Sequence, residues 1–324
     1  MLLPLLLSLV VCAAASFTFP TRLVLQSPGG LFLENLAVRP NGKLLITSPE
    51  SSTLHMVDPA APNPTFDQVH TFPNVTALLG IAEVKPDVYG IIALVLNDTT
   101  ITAVPRTVAI WRVDLSSGGP PVVNKAADVP DGMFLDGLSA VPGEPELVLG
   151  ADTAAGRIWQ ITALWATYGI FNSNSRHDAF APDAPAPAFG INGLHVRGGD
   201  LYFTNSQKET FSRFPIFLRG GNVAQAGPVK VLGSANGTDQ FDDFAFDSMG
   251  RVWAATLPDT LTVFFPPVQG NTMLGQLNAP GNPVEFNRPT SAMFGRGEVA
   301  QQHTLYVTTQ AGQLIAVDTT GIRG

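Results

Sequence analysis

The sequence predicts an all-β, six-bladed β-propeller with four antiparallel strands per blade, on three observations. A phrase that begins at Leu33, LENLAVRPNGKLLIT, returns in altered form at Leu78, Leu135, Ile191, Phe241 and Pro289, at steps of 45 to 57 residues. A repeat of that length marks propellers and solenoids. Within each copy a polar residue leads into an alternating apolar run, a tight turn and a second apolar run, the pattern of a β-hairpin. The 31 glycines and 27 prolines fall between the apolar runs, as they do in an all-β chain with many turns. With 324 residues, 45% hydrophobic and only 14% charged, the chain can bury a large core.

The first stretch, MLLPLLLSLVVCAAAS, is an apolar run followed by small residues and reads as a signal peptide over residues 1–16. It is too short to span a bilayer. Residues 17–324 are then a single propeller domain. The only cysteine, Cys12, lies in the leader, so the mature chain has neither disulfide nor Cys metal site. Asn74, Asn97 and Asn236 each open an Asn-x-Thr triplet, which fits N-glycosylation on a secretory route and a secreted or luminal location. A net charge of −8, with the 18 Lys and Arg scattered, argues against nucleic acid as a partner.

Taken in order, each phrase gives the innermost strand of one blade. Glu34, Leu36 and Val38 alternate with Asn35, Ala37 and Arg39, as in a strand packed on both faces. Hairpin turns follow at Pro40-Asn41-Gly42, Pro86-Asp87, Pro142-Gly143, Gly198-Gly199-Asp200 and Ser248-Met249-Gly250. Second strands are expected over 43–47, 89–96, 146–150, 201–204, 251–255 and 304–309. Third strands are expected over 54–57, 108–113, 157–161, 210–215, 260–264 and 313–317. Long connections over 59–77, 97–107, 115–134, 167–190 and 266–288 place function on one face of the disc, where loops vary without harming the scaffold. The sixth blade runs out one strand short after Val317, and the alternating run Thr21–Leu25 is expected to complete it as the outer strand.

Aligning the phrases sets Glu34, Leu79, Asp136, Asn192, Asp242 and Thr290 at equivalent positions, pointing to the central channel. Three carboxyls and a carboxamide there are costly to desolvate unless a hard cation or a hydrogen-bond network answers them. An all-oxygen donor set selects Ca²⁺ or Mg²⁺ over zinc, and a hydrated polar plug that tethers the blades is the simpler alternative. Trp165, Tyr168, Phe171, Phe180, Phe189, Phe264 and Phe265 are candidates for an apolar rim or for packing between blades. His177 is a candidate lid residue or an ordinary loop histidine. The alternation turns His195 to a neighbouring blade, away from catalysis. Nothing resembles a G-x-S-x-G elbow, a phosphate-binding loop, H-E-x-x-H or a G-x-G-x-x-G turn.

The phrases Glu34-Asn35-Leu36-Ala37, Asn192-Gly193-Leu194 and Asp242-Asp243-Phe244-Ala245-Phe246-Asp247 resemble those of the SMP-30/gluconolactonase-like six-bladed propellers, over essentially the whole mature chain. The resemblance implies Glu34, Asn192 and Asp242 as ligands of a divalent cation, with Ca²⁺ at the axis. The chain departs from the family's lactonases in having Asn35, Leu36 and Ala37 in place of a Gly/Ser-Pro phrase and Trp. It departs again in having Asp243 where Gly usually stands. The leader, LENLAVRPNGKLLIT and LLGIAEVKPDVYG are more similar to a fungal branch that includes hetero-Diels-Alderases of meroterpenoid biosynthesis, which join a quinone methide to a terpene alkene. That branch implies a monomeric enzyme for small apolar substrates, needing no cofactor for the cycloaddition. Asp136 and Asp242 would then be catalytic carboxyls, one of them held neutral to donate a hydrogen bond. A Ca²⁺-dependent lactonase and a non-catalytic propeller that binds a ligand or protein are the other two readings, because a fold hosts many functions.

Overall fold

A computed structural model describes residues 17–97, 99–162, 167–171, 177–183, 189–219, 221–235, 237, 239–266, 274–297 and 302–322. The leader and Cys12, Asn236, Trp165 and the side chains of Tyr168 and His177 lie outside the described residues. Among those described, no helix is long and apolar enough to cross a membrane.

Six antiparallel sheets form the blades. Their innermost strands are Leu36–Val38, Ala77–Lys85, Leu135–Val141, Ile191–Arg197, Gln240–Phe246 and Pro289–Phe294, numbered here as blades 1 to 6. Each packs on the next, and the sixth packs on the first, which closes the ring. The strand Phe19–Gln26 pairs antiparallel with Gln313–Asp318, with Thr21 opposite Val317 and Leu23 opposite Ile315, and so completes blade 6 from the other end of the chain.

Alternation explains the core. Leu36, Val38, Leu44 and Ile46 of blade 1 bury against blade 6, and Ala37 and Leu45 bury against blade 2. The remaining seams repeat the arrangement, so that six apolar clusters lie between adjacent blades, with Trp159 in the second-to-third and Trp253 in the fifth-to-sixth. Each buried methylene contributes on the order of 0.8 kcal/mol.

The long connections of the sequence reading contain strands. The outer strands Asp67–Thr71, Val122–Asp128, Thr167–Ile170 and Gly275–Ala279 lie within segments expected to be loop. They escape notice because an outer strand buries little: Asp67–Thr71 has two exposed residues before its half-buried centre and no apolar period. In blade 4 the third strand, Thr210–Arg219, is long enough to pair with Lys230–Ser234 along its first half and Asn222–Gln225 along its second.

Candidate active site

Every axial residue but that of blade 1 falls in a break of the inner hairpin's register. The pairing skips between Leu78 and Ile81, Leu135 and Leu138, Ile191 and Leu194, Phe241 and Phe244, and Pro289 and Ser291. Such bulges re-aim a side chain, here away from the blade seams. The residue after the axial one then lies against the neighbouring blade. A Cβ on Gly137 would sit 2.4 Å from the Asn192 carbonyl oxygen, and one on Gly80 would sit 2.4 Å from that of Asp136. Those glycines allow the inner strands to approach.

Hydroxyls from the second strands fix the result. Thr204 Oγ1 donates to the Asp242 carbonyl at 2.8 Å and Thr308 Oγ1 to the Glu34 carbonyl at 2.9 Å, each across a blade boundary. Asn192 Nδ2 donates to Ser206 Oγ at 3.1 Å. Five of the six axial residues, Glu34, Leu79, Asp136, Asn192 and Asp242, line one cavity of about 640 Å³ on one face of the disc. Thr290 is the correction: it is fully buried, and its hydroxyl donates to the Leu33 carbonyl at 2.7 Å, so it ties blade 6 to blade 1 and does not line the cavity.

The carboxyls meet at the cavity floor. Burial, then the neighbouring Asp136, Asp242 and Asp243 charges, push Glu34 well above the usual carboxylate range, and Glu34 and Asp136 are hydrogen-bonded to each other. Asp136 is pushed up to about 7, first by burial and then by Asp243. Asp242 is raised well above its ordinary value by burial and by Asp136 and Asp243, against the opposing effect of a hydrogen bond from Asn192. Asp136 and Asp242 each keep one buried oxygen, Oδ1, with no hydrogen-bond partner. The floor therefore holds protons near neutral pH and has unsatisfied oxygens.

The donor types, two or three carboxyls and a carboxamide, fit a hard cation. No three His, Cys, Asp or Glu side chains among the described residues form a group that could hold a metal ion. Glu34, Asn192 and Asp242, the set that the resemblance implies, would hold a divalent cation through oxygen alone.

Apolar residues wall the cavity: Phe32, Leu79, Leu96, Ile101, Phe134 and Phe189. Of the aromatic candidates, Phe189 belongs to this wall, whereas Phe171, Phe180 and Phe264 are buried between blades and Phe265 packs against the same kind of cluster. Phe32 and Phe134 are absent from the sequence-based set. Each lies two residues before an axial residue, as do Gln240 and Arg288, which also line the cavity. The strand period was the signal that would have found this second layer. Asp152 holds Phe134 in place by accepting from the backbone N–H of Met133 and Phe134, both at 3.0 Å.

His195 faces blade 5, as the alternation predicts, with Nε2 2.9 Å from Asp243 Oδ1. It lines a smaller cavity away from the carboxyl floor. Asn74 is exposed in a turn, and Asn97 Oδ1 accepts from the backbone N–H of Thr99 at 3.0 Å.

No protein-family model matches the chain. It is 30% identical to a candidate hetero-Diels-Alderase of Phoma sp, over 92% of this chain and 88% of that protein. It is 26% identical to a second, asR5 of Sarocladium schorii, over 95% of this chain and 86% of that protein. Among solved structures, the calcium-binding protein regucalcin of Agrobacterium tumefaciens superposes with a TM-score of 0.61 over 94% of this chain and 97% of its own. At 17% identity that likeness is one of fold alone.

Proposed function

Since the chain belongs to the family of the fungal hetero-Diels-Alderases, we propose that it catalyses a hetero-Diels–Alder cycloaddition between a quinone methide and a terpene alkene. The observation that carries this reading is the apolar wall of Phe32, Leu96, Ile101, Phe134 and Phe189 set above a floor of proton-holding carboxyls.

The reaction joins the four-atom C=C–C=O unit of the quinone methide to the alkene. One C–C and one C–O bond form, nothing leaves, and no electron is exchanged with a cofactor. Holding two apolar partners in register removes much of the entropic barrier. As the new bonds form, negative charge gathers on the quinone methide oxygen. A neutral Asp136 or Asp242 carboxyl donates a hydrogen bond to that oxygen, and the buried setting makes such a bond worth more than in water. The same carboxyl can protonate a leaving hydroxyl if the quinone methide is formed by loss of water in the cavity.

A second reading, a Ca²⁺-dependent lactonase, draws support from the all-oxygen donor set of Glu34, Asp136, Asn192 and Asp242. The two readings are separated by supplying the purified protein with an ortho-quinone methide precursor and a trisubstituted alkene, and in parallel with a panel of lactones with and without a chelator. Cycloaddition predicts one enantiomer of adduct in excess, unaffected by chelator and lost in Asp136→Asn/Asp242→Asn. Racemic adduct at the uncatalysed rate, together with chelator-sensitive lactone opening that Glu34→Ala abolishes, would establish the hydrolase instead.

A further inference from the structure

The mouth of the cavity has a charge that neither the floor nor the wall explains. Of the six non-glycine residues with positive φ among those described, two line this cavity: Ile101 at φ 51° and Arg288 at φ 57°. Left-handed backbone is unfavourable for a β-branched residue and for arginine alike, and it persists only where the surroundings over-determine it. For Arg288 they do. Its N–H donates to the Pro258 carbonyl at 2.8 Å, its carbonyl accepts from Gln310 N–H at 2.9 Å, and its Nε donates to Gln310 Oε1. These bonds fix the residue and one edge of the guanidinium, and leave both terminal amino groups without a protein acceptor among the described residues.

Among the described residues that line the cavity, Arg288 is the only cationic side chain. It is exposed, whereas Glu34, Asp136 and Asp242 are buried, so the cation stands at the opening and the carboxyls at the bottom. Glu50 is the other charged group at the opening; it accepts from Phe32 N–H at 3.1 Å and makes no ion pair with Arg288. An anion that entered this cavity would be drawn to Arg288, the cation at its opening. An uncharged carbonyl would meet its hydrogen-bond donors at the floor.

We propose that the cavity takes a substrate with an anionic oxygen group, a carboxylate or an ionised hydroxyl, on the end remote from the reacting carbonyl, and that Arg288 binds that group and sets the orientation. The inference rests on the cycloaddition reading for which end reacts. It makes Arg288 a specificity-determining residue, and it makes one of the two partners an amphiphile, with Ile101 packed beside its apolar body.

The test uses benzoate and benzyl alcohol, which share a ring and differ in charge, titrated into the full-length protein by ligand-observed NMR. Wild type is expected to bind benzoate about tenfold tighter, the worth of a charge-assisted hydrogen bond. Raising the ionic strength should weaken benzoate alone. Arg288→Gln should abolish the preference while leaving benzyl alcohol unaffected, and Arg219→Gln, at an exposed arginine that does not line the cavity, should retain it. If Arg288→Gln does not fold, Arg288→Lys, which keeps the charge and loses the planar fork, should show a reduced preference. Absence of binding, equal binding of both probes by wild type, or a preference that survives Arg288→Gln overturns the proposal. Turnover is read separately. No adduct with the preference intact removes the cycloaddition and leaves the anion site, whereas adduct formed by Arg288→Gln at the wild-type KM removes the anion site and leaves the reaction.

Discussion

His195 Nε2 lies 2.9 Å from Asp243 Oδ1, and the other oxygen of the same carboxylate accepts from Ser291 Oγ at 3.0 Å, so one side chain joins blades 4, 5 and 6 beneath the carboxyl floor. Asp243 occupies the place that Gly80, Gly137 and Gly193 hold in blades 2, 3 and 4, and joins its neighbours by hydrogen bonds where they do so by close backbone approach. Asp243→Ala strands the buried Ser291 and the half-buried His195 and should lower stability by about 1–3 kcal/mol in urea unfolding. Its charge is also the largest cause after burial of the high Asp136 pKa, so Asp243→Asn should bring the Asp136 titration down from about 7 when followed by carboxyl ¹³C NMR.

The floor gives stability a defined pH dependence. Glu34, Asp136 and Asp242 all bind protons more tightly folded than unfolded. A raised carboxyl favours the folded state below the unfolded pKa and loses that advantage as pH rises through the folded value. Stability should therefore fall between about pH 4 and pH 7. Urea midpoints across that range should show the decline, and Asp136→Asn should flatten it. Asp87, whose pKa is lowered first by the hydrogen bond from Arg39, acts in the opposite sense below about pH 4.

Gly137 tests the close approach of the blades. Its added Cβ would meet backbone, the Asn192 carbonyl oxygen at 2.4 Å, which cannot move without shifting an axial residue. Gly137→Ala should cost about 3 kcal/mol or more, seen as a large drop in melting temperature. Gly169→Ala, where a Cβ meets nothing within 4 Å, is the control and should change little.

Phe189 tests the wall. It is half-buried and packs its ring 6.1 Å from that of Phe134. Phe189→Ser should leave the fold intact and lower kcat/KM for adduct formation by about tenfold, mostly through KM, as the loss of one apolar contact surface predicts. A fall in kcat alone would assign the ring to the reacting centre.

Asn74, exposed and in a left-handed turn, is the sequon best placed to carry a glycan. Protein secreted from a eukaryotic host should lose mass on endoglycosidase treatment, and Asn74→Gln should remove one glycan's worth of that loss. An unchanged mass in the wild type would remove the secretory route from the account of this chain.

The ring and its closure were legible because the innermost strands are buried on both faces, and such burial imposes alternation. Glu34, Asp136, Asn192 and Asp242 stand out for the same reason, as polar residues in register at positions where the pattern expects apolar ones. Thr290 shares that register, yet its hydroxyl is consumed by Leu33, and no sequence period shows whether a threonine faces a channel or a backbone carbonyl. The outer strands were invisible because residues such as Asp67 and Gln68 are exposed and bury no stripe. Arg288 shares with Phe32 and Phe134 the two-residue offset from an axial position, but nothing in an Asn-Arg-Pro string announces the positive φ that it adopts.

The pairing of Phe19–Gln26 with Gln313–Asp318 sets an order of events during synthesis. The earliest described strand to leave the ribosome pairs only with Gly281–Asn282 and Gln313–Asp318, and must stay unpaired while five blades are made. Contacts so distant along the chain slow folding. The cavity floor, assembled from blades 1, 3, 4 and 5, should come into being late, and a nascent chain stalled before blade 6 should bind nothing.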